Sequence, residues 1–149
     1  MFYNVENLFD TRDDSLKIDE EFLPDSERHW DNHKMYQKIN NIYRILMAIG
    51  EWKPPAIIGL CEIENRFVLN QLVYKTPLQN LDYKIIHYDS PDRRGIDVGL
   101  IYRSSVLQVD TSLTFPVVFA EDPDSKTRDI LYVKGILGGV DTLHLFVNH

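Results

Sequence analysis

The chain has 149 residues, a length that fits one domain, and 44% of them are hydrophobic, enough to build a core. Its formal net charge of -7 excludes a general attraction to nucleic-acid backbones or anionic membranes. A phosphate-rich ligand therefore needs a local basic patch or a bridging cation. The single cysteine, Cys61, excludes an intrachain disulfide and a multi-cysteine zinc site, and its place in an apolar run reads as a small buried hydrophobe. No run approaches the ~18 apolar residues of a membrane helix, so stable membrane insertion is not expected. No signal peptide is visible, which leaves a cytoplasmic or a secreted location open.

Met1 to Val5 is apolar and aromatic apart from Asn4, and reads as a strand. Asn4 is either an ordinary strand-end residue or an amide that orients a phosphate or a metal-bound water. Thr11 to Asp31 is polar, acidic and aperiodic, and predicts a long surface loop, mobile or part of a site. His29 and His33 lie at its end with metal-ligand spacing, but no third ligand is near. Lys34 to Gly50 is the clearest helix: Met35, Ile39, Ile42, Leu46 and Ile49 form one apolar stripe. Asp31 or Asn32 caps its start and Gly50 ends it.

Pro54-Pro55 precedes Ile57-Ile58-Gly59-Leu60-Cys61-Glu62-Ile63-Glu64-Asn65, an apolar run that ends in carboxylates. The run predicts a buried strand, and a carboxylate at the carboxyl end of such a strand lies where open α/β sheets hold ligands. Glu62 is the candidate metal ligand; the bland reading makes both Glu62 and Glu64 solvated acids of the next helix start. That helix spans Asn65 to about Tyr74. Beyond Asp82 five strands are predicted: Tyr83 to Tyr88, Ile96 to Tyr102, Val106 to Phe115, Ile130 to Leu137 and Thr142 to Val147, with a hairpin signal at Gly138-Gly139. Strand, helix, strand, helix, then strand after strand is a mixed α/β pattern.

Three further residues draw notice. Asp97 in an apolar strand is costly unless paired, or else lies at a strand edge in water. His149 ends the last strand, where its imidazole complements Glu62; an exposed frayed terminus is the alternative. Pairing between Asp97 and His149 would orient the imidazole and raise its pKa. Arg128 precedes a strand and suits a substrate phosphate, or is simply solvated. His87 and His144 lie inside strands and read as structural.

Five segments occur in order: Phe2-Tyr3-Asn4-Val5-Glu6-Asn7-Leu8-Phe9-Asp10, Gly59 to Asn65, Arg94-Gly95-Ile96-Asp97-Val98-Gly99-Leu100-Ile101-Tyr102, Thr127-Arg128-Asp129-Ile130-Leu131, and Phe146-Val147-Asn148-His149. Together they resemble the endonuclease/exonuclease/phosphatase superfamily, of deoxyribonuclease I-like fold. The resemblance implies the N-terminal half of a four-layer α/β sandwich, with a mixed, mostly antiparallel sheet and flanking helices. It implies hydrolysis of a phosphodiester or phosphomonoester with Mg²⁺, or Mn²⁺ in its place. Glu62 matches the metal-binding glutamate, Asn4 and Arg128 match phosphate-positioning residues, His149 matches the histidine at the scissile phosphate, and Asp97 falls near its acidic partner. The substrate would be nucleic acid, a small phosphate ester or a lipid headgroup.

The family's later motifs, Gly-Asp-Phe-Asn and Ser-Asp-His, do not occur in the chain. The resemblance thus implies a single truncated domain over residues 1–149, inactive by itself and prone to self-association through an open face. The competing expectation is a catalytically inactive domain or a phosphate- and metal-binding module.

Overall fold

The computed structural model describes residues 1–51 and 53–149. Strand β1 (Phe2–Leu8) is followed by helix α1 (Asn32–Ile49), β2 (Ile57–Ile63), α2 (Arg66–Tyr74), β3 (Tyr83–His87), β4 (Asp97–Arg103), β5 (Leu107–Phe115), β6 (Ile130–Leu137) and β7 (Asp141–Val147). Strands β1, β2, β4 and β3 form one sheet in that order, with β1 parallel to β2 and the other pairs antiparallel. Strands β5, β6 and β7 form a second, antiparallel sheet. The result is the expected mixed, mostly antiparallel α/β sandwich, with helices on one outer face.

Both helices start where side chains can satisfy free backbone N–H groups. Asp31 accepts from Lys34 N–H, and Asn65 accepts from Val68 N–H. Met35, Ile39, Ile42 and Leu46 are buried against the four-stranded sheet, whereas Ile49, the last residue of the predicted stripe, is 57% exposed. Ile49 is the last residue of the helix.

Strand alternation divides the core in two. Leu60, Ile63, Ile85 and Ile101 face the helices, together with Val5 and Leu8 of β1. Cys61, Val98 and Leu100 face the second sheet and pack on Leu131, Val133 and Val147. Burial of each such aliphatic side chain stabilises by about 1.5–3 kcal/mol. Gly138 and Gly139 form the β6–β7 turn with φ of +59° and +77°, left-handed values that glycine tolerates.

The Thr11–Asp31 loop is tied down along its length. Phe22 stacks on Phe9 with ring centroids 3.9 Å apart, and Trp30 donates to the Phe9 carbonyl at 3.1 Å. Lys17 Nζ donates to the carbonyls of Ser90 and Asp92, each at 2.9 Å, which clamps the loop to the turn before β4.

Candidate active site

Two irregularities in the sheet build the site. The β1–β2 register shifts between Asn4 and Leu8, and the β2–β4 register shifts between Cys61 and Ile63. At the first, Glu6 and Asn7 adopt φ of 60° and 63°; at the second, Glu62 adopts φ of 63°. Left-handed backbone at non-glycine residues is strained, and bulges re-aim side chains. The effect on β2 is direct. Leu60 and Ile63 both face the helices, so Glu62 is the extra residue and its side chain is released from strict alternation.

Glu62 thereby reaches Asn4 and His149. Asn4 Nδ2 donates to Glu62 Oε1 at 3.0 Å and lies 3.3 Å from His149 Nε2. His149 Nε2 is also 3.3 Å from Glu62 Oε1. Asn4 is held in turn, because its Oδ1 accepts from Glu6 N–H at 2.7 Å. The expected meeting of Asn4, Glu62 and His149 is thus present, and His149 is only partly exposed, with 29% of its side chain accessible.

The expected Asp97–His149 pair is not formed. Val98 and Leu100 point between the sheets, so alternation turns Asp97 to the helix side, away from β7. There it is 4% exposed rather than solvated. Its Oδ2 lies 3.1 Å from His87 Nε2, and its Oδ1 accepts from Ser90 N–H at 3.0 Å and from the Ser90 hydroxyl. His87 is a satisfied strand histidine, and so is His144, whose Nδ1 is 2.7 Å from the Tyr132 hydroxyl.

Arg128 is mostly buried, and its Nε faces Asp92 Oδ2 at 3.6 Å. Asp92 is 5% exposed and also accepts from Arg94 N–H, while Arg94 Nη2 donates to Asn7 Oδ1 at 3.0 Å. The Ser90–Gly95 turn therefore links Asp97, Arg128 and the bulge after Asn4.

Sequence reasoning passed over Asp92 and Lys38. The turn composition around Asp92 was visible, but its burial was not. Lys38 Nζ donates to the Glu6 carbonyl at 2.7 Å. Burial lowers its pKa, opposed by the charges of Glu6 and Glu62. The Lys34/Lys38 repeat, one turn apart, was the available signal.

Glu64 is not the solvated helix-start acid that was expected. It is 9% exposed, accepts from Asp10 N–H at 2.5 Å, and has its pKa pushed up to about 8 by burial. Cys61 is fully buried; burial, with the nearby Glu62 charge, raises its thiol to about 11. A thiol reagent at pH 8 should leave Cys61 unmodified in the folded chain and modify it promptly in denaturant. Comparable rates in both states would contradict its placement.

The donor chemistry at Glu62 fits Mg²⁺. A single carboxylate beside an amide suits an ion that takes one or two protein carboxylates and keeps waters or phosphate oxygens for its other positions. A second cluster, His87, Asp89 and Asp97, has ligand atoms close enough to hold a metal and is the one such group among the described residues. Asp97 is already occupied there by Ser90 and His87. His29 and His33 belong to no such group among the described residues.

No curated protein matches the chain in sequence. Among solved structures, the chain is similar to ANGEL2, a 2',3'-cyclic phosphatase, with TM-score 0.55 and 11% identity, covering 73% of this chain and 30% of that one. It is also similar to an endonuclease/exonuclease/phosphatase from Bacteroides vulgatus, with TM-score 0.52 and 18% identity, covering 93% of this chain and 46% of that one. The chain thus spans less than half the length of either structure. Both likenesses concern the fold. The profile of the Endonuclease/Exonuclease/phosphatase family matches residues 1–149, and with that match over its full length the chain belongs to this family.

Proposed function

We propose that the chain supplies the metal- and phosphate-holding part of a Mg²⁺-dependent phosphoesterase, one that hydrolyses phosphodiester or phosphomonoester bonds. The observation that carries the reading is the convergence of Asn4, Glu62 and His149 within 3.3 Å, from three strands and two sheets. Mg²⁺ held by Glu62, with Mn²⁺ as its substitute, would offset charge on a phosphate oxygen as the bond to the leaving group breaks.

The chain's own residues orient the ester. Asn4 fixes the Glu62 carboxylate through Nδ2. His149 Nε2–H, freed from Glu62, donates to a non-bridging oxygen and stabilises charge that grows there. Arg128 faces the same end of the sandwich, because the paired Leu131 and Val147 are each only a few residues from Arg128 and His149. Asp92 holds its guanidinium, whose remaining N–H groups are free to contact phosphate. Asp97 acts at one remove, by fixing the turn that carries Asp92.

Water activation is not assigned to these 149 residues, since Gly-Asp-Phe-Asn and Ser-Asp-His do not occur in them. The chain alone should therefore bind inorganic phosphate in a Mg²⁺-dependent way, without turning over bis-p-nitrophenyl phosphate. Phosphorus NMR line broadening with and without Mg²⁺ checks the first point. Broadening that is independent of Mg²⁺, or unchanged in Glu62→Ala, contradicts the reading. Self-association belongs to the same proposal: Phe2, Phe115 and Phe146 are 56%, 46% and 59% exposed. A concentration-dependent sedimentation coefficient is expected, and a strictly monomeric chain at high concentration counts against it.

A further inference from the structure

The two ends of the Asn4 amide have different partners. Its Oδ1 accepts from Glu6 N–H at 2.7 Å, which turns Nδ2 toward Glu62 Oε1 at 3.0 Å. An amide flipped by half a rotation would set its oxygen against that carboxylate. The Glu6 N–H therefore decides which end of Asn4 meets Glu62. It belongs to the left-handed pair Glu6 and Asn7, with φ of 60° and 63°. Strained backbone of this kind persists only where its surroundings hold it.

Two cations hold it, from two different elements. Lys38 of α1 donates from Nζ to the Glu6 carbonyl at 2.7 Å. Arg94, in the turn before β4, donates from Nη2 to Asn7 Oδ1 at 3.0 Å. Both anchors are themselves fixed: Lys38 stands beside the buried Ile39, and Asp92 Oδ1 accepts from Arg94 N–H at 2.9 Å. Packing gives the bulge little support on the α1 side. Strand β1 lies at the edge of its sheet, and a cavity of about 510 Å³ adjoins it, lined by Tyr3, Asn4, Glu6, Lys38, Asn41 and Ile45 among others.

We propose that Lys38 and Arg94 are positioning residues of the candidate site, which hold the Glu6–Asn7 bulge from two sides and so aim the Asn4 amide at Glu62. Their action on the carboxylate runs through Asn4. The inference rests on the functional reading above only for the use made of Glu62; the bulge and its two clamps stand apart from that reading. Charge and position make opposite demands on Lys38. Its ammonium feels the charges of Glu6 and Glu62, so loss of that charge alone would favour a cation at Glu62. Loss of the Asn4 orientation would disfavour it.

The test follows the Asn4 side-chain amide by proton–nitrogen NMR in EDTA, with the signal assigned by its loss in Asn4→Asp. The two Nδ2 protons should be widely separated in shift, since one of them meets the Glu62 carboxylate. Lys38→Met and Arg94→Met should each collapse that separation toward that of a free amide, and Lys38→Arg should restore it. Arg94 is exposed and Lys38 partly so, and an unchanged thermal melt separates the effect from general unfolding. Lys38→Met should also bind Mn²⁺ about threefold more weakly, less than the ~10–100-fold cost of losing a ligand's direct partner. An Asn4 amide that stays put in either variant, or a collapse that Lys38→Arg does not reverse, overturns the proposal. So does equal or tighter Mn²⁺ binding by Lys38→Met where the unsubstituted chain binds Mn²⁺ through Glu62. The NMR readout involves no metal. Failure of the Mg²⁺ reading is therefore seen separately, as Mn²⁺ binding by the unsubstituted chain that does not depend on Glu62.

Discussion

Asp97→Ala should destabilise the fold by ~3–5 kcal/mol, because it leaves three buried hydrogen-bonding groups without their acceptor, each at a cost of about 1–3 kcal/mol. Asp97 is 4% exposed, and the His87 side chain against it is 2% exposed. Removal strands the His87 Nε2, the Ser90 N–H and the Ser90 hydroxyl together. Domains of this size are stable by only about 5–15 kcal/mol, so the loss is a large share of the total. Urea unfolding should show the midpoint fall sharply. Asp97→Asn keeps an acceptor for Ser90 and should lose less. A loss below about 1 kcal/mol for Asp97→Ala would mean that the residue is a solvated strand edge after all. The consequence reaches the candidate site, because the Ser90–Gly95 turn also carries Asp92, which faces Arg128, and Arg94, which donates to Asn7.

Glu64→Gln should remove most of a fall in stability between pH 4.5 and 8. Glu64 is raised from 4.5 to about 8, first by burial and then by the charges of Asp10, Asp19 and Asp14, against a lowering hydrogen bond from Asp10 N–H. In that window the folded chain keeps a proton that the unfolded chain has released. Stability therefore falls as pH rises, fully so above the folded value. The cost at alkaline pH is on the order of 3–5 kcal/mol. Glutamine keeps an oxygen for Asp10 N–H and cannot ionise, so the variant should be markedly more stable than the unsubstituted chain at pH 9 and near equal to it at pH 4.5. Urea titrations in EDTA at the two pH values measure the difference. Parallel losses in both proteins would place the titration elsewhere, Asp19 being the nearest other acid with a raised pKa.

Periodicity made the elements readable. The α1 stripe, the apolar run of β2 and the five later strands needed only hydrophobic spacing and turn residues, and their ends fall within a few residues of those expected. Burial of one apolar face decides such segments locally. The meeting of Asn4, Glu62 and His149 was legible in a different way, through the order of five segments that resemble a family. Their individual spacing would not have brought residues 4 and 149 together.

What escaped was geometry that depends on bulges and on which face meets which layer. Asp97 was matched to His149 because an acid in an apolar strand needs a partner and the family resemblance put it near the acidic partner of that histidine. The alternation of Val98 and Leu100 fixes the face of Asp97 only once those residues are known to pack on the second sheet. Nothing in Glu6 or Glu62 announces a left-handed backbone; Asn7, of a residue type that tolerates it, was the one signal. Glu64 looked like its neighbour Glu62, yet a bulge in one strand turned one carboxylate toward a site and the next into the core.

Glu62 is proposed to anchor a divalent cation beside Asn4 and His149. Electron paramagnetic resonance of Mn²⁺, titrated into the chain and competed with Mg²⁺, tests it most directly. One Mn²⁺ per chain is predicted, displaced by Mg²⁺, lost in Glu62→Ala and retained in His87→Ala. Binding that survives Glu62→Ala and disappears in His87→Ala would move the metal to the His87, Asp89 and Asp97 group and contradict the account.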